Sequence, residues 1–414
     1  MEGLLKRVLL FSSLLITLLP LPAYTMASSS FMSPSTSSSK EGLPFPVMQR
    51  ADDDDDRPQF VYDDEDGSLP SLIRSVRTKL NYVTPGTEEI HVRRDVTGCD
   101  STYEGAKWDS VNVEIRNGRK TTTSWYLDEH GFELIPDGIS PSPDDTIDFL
   151  DTQDVMDRYY PECERLLKEL LHASGDDDKS KLASGGIACA RAFDHNIRIS
   201  TSSFGKELKG GGGSKAQVPL GMVHGDYTKM SGPRRLHDLS QPPKANDVWK
   251  QRLQNGQSLL DPMLVQEALE GKRRFALINV WRNIDPHHSV QQFPLACANA
   301  QTVPSDGLKT LYIHYKDRVG ENYFCSHQPC HEWYYFPDMT FREALLIKQW
   351  DSHGALAKIL SSDDTITTSA SAIDATGPST FAIHSAFLDP TTKSDAPPRK
   401  SIEVRCAVIW DKIE

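Results

Sequence analysis

Phe275-Ala276-Leu277-Ile278-Asn279-Val280-Trp281 is apolar at every position but one. A short continuous apolar run of this kind reads as a buried β-strand. Working outward from it, Tyr312–Tyr315, Glu332–Phe336, Ala344–Gln349, Thr380–Phe387 and Ser401–Trp410 are further short strands, and Ala190–Arg198 is one upstream. Val111–Ile115 alternates apolar and polar, Asn117-Gly118 supplies a turn, and Thr121–Leu127 resumes β-prone residues, which together predict a hairpin. Helix signals are fewer. Residues 151–172 carry Leu166, Leu167, Leu170 and Leu171 on one stripe, interrupted early by Pro161, and Asp261-Pro262 opens a helix that stops at Gly271. Many short strands with few long helices favour a mixed, β-rich barrel or sandwich with helices packed outside it over a doubly wound sheet.

A length of 414 residues allows one large core or two modest ones. A net charge of −13 argues against a nucleic-acid binder, which needs a basic face. Part of the excess is local, in the run Asp52–Asp56 and in Asp176–Asp178. Lys6 and Arg7 precede an apolar stretch from Val8 to Pro22 and the small residues Thr25-Met26-Ala27, the grammar of a signal peptide or signal anchor over 1–27. That stretch is short for a membrane span, so no stable span is expected unless it is retained as an anchor. The compartment is then secretory if the signal is genuine and cytoplasmic otherwise. Residues 28–58, rich in Ser, Pro and Asp, read as a disordered leader, and 59–414 as a single domain with flexible segments at 174–185, 208–216 and 361–379. Seven cysteines in no regular framework read as reduced thiols. A homodimer is compatible with all of this.

The sharpest local feature is Val223-His224-Gly225-Asp226-Tyr227-Thr228. On a strand, residues i and i+2 share a face, so the His224 imidazole and Asp226 carboxylate can converge. Two histidines and one carboxylate form the facial triad of non-haem iron(II) oxygenases, which leaves three positions open. His384, in Phe381-Ala382-Ile383-His384-Ser385-Ala386-Phe387, is the candidate distal ligand, because Ala382 and Ala386 on its face leave room for a metal. Shortly after it comes Arg399-Lys400-Ser401, where guanidinium and hydroxyl share a face and can hold one carboxylate. In 2-oxoglutarate oxygenases an Arg-x-Ser pair after the distal histidine binds the co-substrate's far carboxylate. Arg405 is a second candidate for that task, and Glu403 can neutralise one of the two arginines.

Other residues carry weaker signals. Arg282 is a candidate for binding a substrate or co-substrate acid or for capping a structural carboxylate; His331 and Trp333 either line a pocket mouth or simply pack. Cys325, His327, Cys330 and His331 crowd four candidate metal ligands into seven residues, too tight for the paired knuckles of a structural zinc site. His195 beside Asp194 reads as structural, and His287-His288 as loop. Gly210–Gly213 lacks the spacing of a phosphate loop.

The chain also resembles a family: fungal and bacterial non-haem iron oxygenases related to gibberellin desaturases, cephem-methoxylase-associated proteins and fungal endoperoxide-forming enzymes. The resemblance rests on Gly131–Leu134, Phe193–Arg198, Val223–Thr228, Asn279–Arg282, Pro294–Ala296, His331–Pro337, Met339, Asp351-Ser352, His384–Phe387 and Arg399–Arg405, in one order along the chain. It implies a double-stranded β-helix (jelly-roll, cupin-like) core with peripheral helices. It further implies Fe(II) and 2-oxoglutarate as cofactors, and O₂-dependent hydroxylation or desaturation of a small, often secondary-metabolite, substrate. Two alternatives stay open: a non-catalytic relative that binds a small molecule in the same barrel, and a zinc or iron hydrolase using the same three ligands.

Overall fold

The run that opened the sequence reading lies in the middle of a five-stranded sheet that is covered on both faces, which is why it is apolar on both. The computed structural model describes residues 60–62, 73–95, 101–138, 147–173, 186–200, 208–209, 216–361 and 378–412. The expected signal at 1–27, the whole of the expected leader at 28–58, the segment 174–185, and most of 208–216 and 361–379 lie outside them. Among the described residues no helix is long and apolar enough to cross a membrane.

Strands are labelled in chain order. The smaller sheet runs β5 (Phe132–Ile135), β13 (Ala344–Asp351), β8 (Arg273–Asn283), β15 (Lys400–Lys412) and β6 (Ile187–Ile199). The larger runs β1 (Phe60–Tyr62), β2 (Ile73–Val83), β4 (Trp108–Asn117), β12 (Trp333–Tyr335), β9 (Leu295–Ala298), β14 (His384–Ala386), β7 (His224–Gly225), β11 (Val319–Cys325), β10 (Leu308–His314) and β3 (Ile90–Arg93). The helices are α1 (Leu127–His130), α2 (Thr152–Asp154), α3 (Tyr160–Ala173), α4 (Ser231–Leu239), α5 (Pro262–Leu269) and α6 (Ala355–Ser361). Between the sheets lies a core of Trp281, Cys297, Tyr334, Leu345 and Ile347. On the other face of the smaller sheet, Ile278, Val280, Val404 and Cys406 pack with Leu166 and Leu167 of α3. The parity of β8 therefore sorts its residues: Ile278 and Val280 face the helix, Asn279 and Trp281 the interior.

Most expected elements appear near their expected bounds. Pro161 sits at the start of α3, after a π-helical turn at Val155–Tyr159 that absorbs the interruption. Asp261 caps α5 by accepting from the Met263 amide at 2.8 Å. The hairpin at 111–127 does not form. β4 ends at Asn117 and pairs with β2 and β12, while Thr121 Oγ1 and Trp125 Nε1 bond back to the Gly118 carbonyl, so the second arm is held by side chains rather than by a ladder. The long strand β2 and the strand β11 carried no sequence signal strong enough to read. The described cysteines, Cys163, Cys189, Cys297, Cys325, Cys330 and Cys406, are all free, in keeping with reduced thiols.

The segment before β14 is stitched to β13 and α1. Ala382 N–H donates to the Lys348 carbonyl, Lys348 N–H to the Gly131 carbonyl, and Ser379 N–H to the Asp128 carbonyl. Gly131 ends α1 with φ +84°, and a Cβ there would lie 2.9 Å from Ala382 Cβ, so both conformation and space call for glycine. Beneath these bonds Asp351 accepts from Arg274 Nε at 3.1 Å and Lys348 Nζ at 2.9 Å, and both cations also reach Asp128. Arg274, Lys348 and Asp351 are buried, so each charge depends on its partners. Asp351→Ala strands two buried cations on one remaining carboxylate, and is expected to lower unfolding free energy by about 3–5 kcal/mol in denaturant titration.

Candidate metal centre

β7 is only two residues long, and it is held between β11 and β14. In the β14 pairing His384 stands directly opposite His224, so the antiparallel register itself makes the two imidazoles neighbours, with ring centroids 4.3 Å apart. Asp226 follows just beyond the end of β7, where its amide donates to Gln349 Oε1 of β13 at 3.1 Å. Its Oδ1 lies 3.7 Å from His224 Nε2. One ligand atom from each of His224, Asp226 and His384 falls within 4.8 Å of the others, and all three residues are buried. Among the described residues this is the only convergence of metal-ligand types.

The donor chemistry fits a divalent cation. His224 Nδ1 donates to the Met222 carbonyl at 2.8 Å and His384 Nδ1 to the Ala382 carbonyl at 3.3 Å, leaving each Nε2 lone pair for a metal. Burial, with His384 beside it, holds His224 neutral with its pKa down at about 3. Burial alone would raise Asp226, but Arg405 and the Asn279 amide outweigh it and hold the carboxyl well below the usual range. Its Oδ2 accepts from Asn279 Nδ2 at 2.9 Å and from Arg405 Nε at 3.5 Å, so the carboxylate is fixed by one oxygen and presents the other.

Two cavities flank the three ligands. One, about 10 Å³ and so no larger than a water, is lined by His224, His384, Trp281, Arg399, Arg198, Glu403 and three apolar side chains. The other, about 550 Å³, opens between the edge strand β6 and β10–β11, with Asp226, Tyr227, Asn196 and Arg405 among its lining. Arg399 donates through Nε to Ser401 Oγ at 2.9 Å and lies over the Trp281 ring, 5.1 Å from its centroid. Burial and the neighbouring Arg198 bring its pKa down to about 9.

The remaining expected site residues are distributed otherwise. Arg405 does not face the small cavity: it donates to Asp194 Oδ2 at 3.0 Å and Glu403 Oε1 at 3.2 Å besides Asp226, so its fork supports a ligand rather than awaiting an acid. Arg282 is not brought to the site. As the neighbour of Trp281 it has the opposite parity, and its guanidinium lies 4.3 Å from the Phe341 ring centroid on the helix side. Trp333 pairs with Ala298, one step out of phase with the Tyr334–Cys297 and Cys297–His384 pairs that face inward. It donates instead to Tyr82 Oη at 2.8 Å, with His331 stacked on the same tyrosine, so neither lines a cavity at the metal centre. Of the Cys–His cluster, Cys325 is buried and Cys330 exposed, and the four do not converge. Asn279 and Arg198 lie in segments that carry the resemblance, but the sequence pattern alone assigns neither a role. The signal for Asn279 is present, as the one polar residue in the run Phe275–Trp281.

A family model described as an oxidoreductase/YMDC permease-like domain matches residues 80–258 and 255–409. The chain belongs to that oxidoreductase family. The family chain is similar to a protein of the dcmA 3′ region of Methylophilus leisingeri, 34% identical over 224 residues, which cover 52% of this chain and 94% of the relative. It is 24% identical over 336 residues to the Fe(II)/2-oxoglutarate-dependent dioxygenase nvfI of Aspergillus novofumigatus, covering 80% of this chain and 95% of that one. The solved structure of the iron and alpha-ketoglutarate-dependent endoperoxidase NvfI aligns with a TM-score of 0.56 at 21% identity, over 82% of this chain and 99% of the other. The shared fold is the double-stranded β-helix expected from the sequence.

Since Asn279 orients Asp226 without itself being placed as a ligand, Asn279→Ala is expected to weaken divalent-metal affinity by roughly 10–100-fold. Competition against a chelator with Mn(II) measures this, and an unchanged affinity would show that the amide has no part in setting the carboxylate.

Proposed function

We propose that the protein is an Fe(II)- and 2-oxoglutarate-dependent dioxygenase-type oxidoreductase that hydroxylates or desaturates a small, secondary-metabolite substrate, with 59–414 as one oxygenase domain. The observation that carries this reading is the buried two-histidine, one-carboxylate set whose ligand atoms lie within 4.8 Å of one another. Relatives named hydroxylase/desaturase, such as efuI of Hormonema carpetanum at 24% identity over 82% of this chain, support the reaction class.

The charge on the barrel's inner face supports the co-substrate. Asp194, Glu403 and Asp226 all engage the single guanidinium of Arg405, which leaves two negative charges in excess. A divalent cation on Asp226 cancels them. Arg198 and Arg399 then leave two positive charges facing the small cavity, and a buried excess of that size calls for a dianion. Fe(II) with 2-oxoglutarate supplies O₂ activation for C–H oxidation, coupled to decarboxylation of the co-substrate to succinate and CO₂.

The chain's own residues then divide the work. His224 and His384, neutral, and Asp226, ionised, hold the metal; Asn279 and Arg405 fix the direction of the Asp226 carboxylate. Arg399 and Ser401 grip the far carboxylate, while Trp281 and Leu295 keep the cavity dry. Because the cavity is contracted around these side chains, binding of a five-carbon diacid requires them to part. The substrate approaches through the wide cavity on the Asp226 side, whose size suits a small molecule.

The wild-type protein supplied with Fe(II), ascorbate and 2-oxoglutarate is expected to release succinate, and His224→Ala to release none while keeping its melting temperature. Succinate release that survives His224→Ala, or its absence from the wild type under these conditions, counts against the reading.

A further inference from the structure

Arg198 projects from β6 directly opposite Ser401 of β15, and its side chain lines the small cavity together with Arg399 and the two histidines. Cross-strand partners have Cβ atoms about 4.5–5.5 Å apart, so Arg198 flanks the same hydroxyl that accepts from Arg399 Nε. Among the described residues Arg198 makes one side-chain hydrogen bond, from Nη1 to the Val218 carbonyl at 2.8 Å, and no ion pair. Arg399 likewise has no carboxylate partner; it donates to Ser401 and to the Phe293 carbonyl. The nearby acids do not fill the gap, because Asp194, Glu403 and Asp226 are all gathered on Arg405. Two guanidiniums, Arg399 buried and Arg198 partly buried, face a cavity whose one acid, Glu403, is already paired with Arg405, and such an arrangement is costly unless an anion joins them.

We infer that Arg198 is a second co-substrate-positioning residue, which with Arg399 forms a two-guanidinium clamp on the distal carboxylate of the 2-oxo diacid, on either side of Ser401. This rests on the functional reading above and extends it to a residue outside the Arg-x-Ser pair. The clamp has a consequence for selectivity. A 2-oxo diacid satisfies both forks, whereas an acid without the distal carboxylate leaves two cations facing each other in a closed space.

The test uses the full chain loaded with Mn(II) and calorimetric titration with 2-oxoglutarate and with oxalate, which keeps the chelating end and lacks the distal group. Arg198→Met is expected to raise the Kd for 2-oxoglutarate about tenfold or more. Its Kd for oxalate should stay within about twofold of wild type, because the bonds at the metal are untouched. Arg198→Lys retains the positive charge at this position, so it guards against a variant that fails to fold. Lacking the fork, it should show a smaller loss of about three- to tenfold, again for 2-oxoglutarate alone. An unchanged 2-oxoglutarate Kd in these variants, or equal weakening toward both ligands, overturns the clamp while leaving the functional reading intact. Wild-type protein that binds oxalate but not 2-oxoglutarate overturns both.

Discussion

One backbone pairing governs the rest: the antiparallel register of β14 on β7 that sets His384 across from His224. A slip of a single residue would turn one imidazole out of the barrel, because alternate side chains leave a strand on opposite faces. Neither strand is long enough to specify that register by itself; β7 has two residues and β14 three. The specification comes from β13, which meets both. Its Lys348 carbonyl receives the Ala382 amide just before β14, and its Gln349 side chain receives the Asp226 amide just after β7. The buried Arg274, Lys348 and Asp351, joined by the partly exposed Asp128, then lock β13 to β8 and α1.

The same economy of anchoring appears in the electrostatics of the inner face. Arg405 collects three carboxylates, one of them a candidate metal ligand, and so couples the position of Asp226 to that of Asp194 and Glu403. Asn279 adds a neutral donor on the oxygen that faces away from the histidines. A carboxylate restrained at one oxygen and free at the other is pre-organised for a cation, since little reorganisation remains when the ion arrives.

Much of this was legible in the chain. His224 and Asp226 two residues apart, His384 among small neighbours, and Arg399 two before Ser401 are local patterns whose chemistry can be named without a fold. The apolar run through β8 and the cap at Asp261 are equally local. What escaped depends on partners distant in sequence. Arg282 follows a buried strand as a ligand-binding arginine does, but parity relative to the sheet, invisible until the interior face is known, turns it toward Tyr159 and Phe341. Arg198 looks like any strand residue until its pairing with Ser401 is seen. Trp333 and His331 are aromatic and sit in a motif-like stretch, yet a one-residue phase difference sends Trp333 to Tyr82, which His331 also joins. Thr121–Leu127 has strand-like composition, but its hydroxyls and indole find closer acceptors than a neighbouring strand offers.

β6 ends the smaller sheet, and one of its long sides pairs with no other strand of that sheet. The wide cavity opens along that rim, whereas the imidazoles lie on strands paired on both sides in the larger sheet. Insertions or deletions in the connections bordering the rim therefore reshape the wide cavity without breaking a ladder that carries a candidate ligand. Such an arrangement lets a lineage vary the rim while the two-histidine, one-carboxylate set is inherited intact.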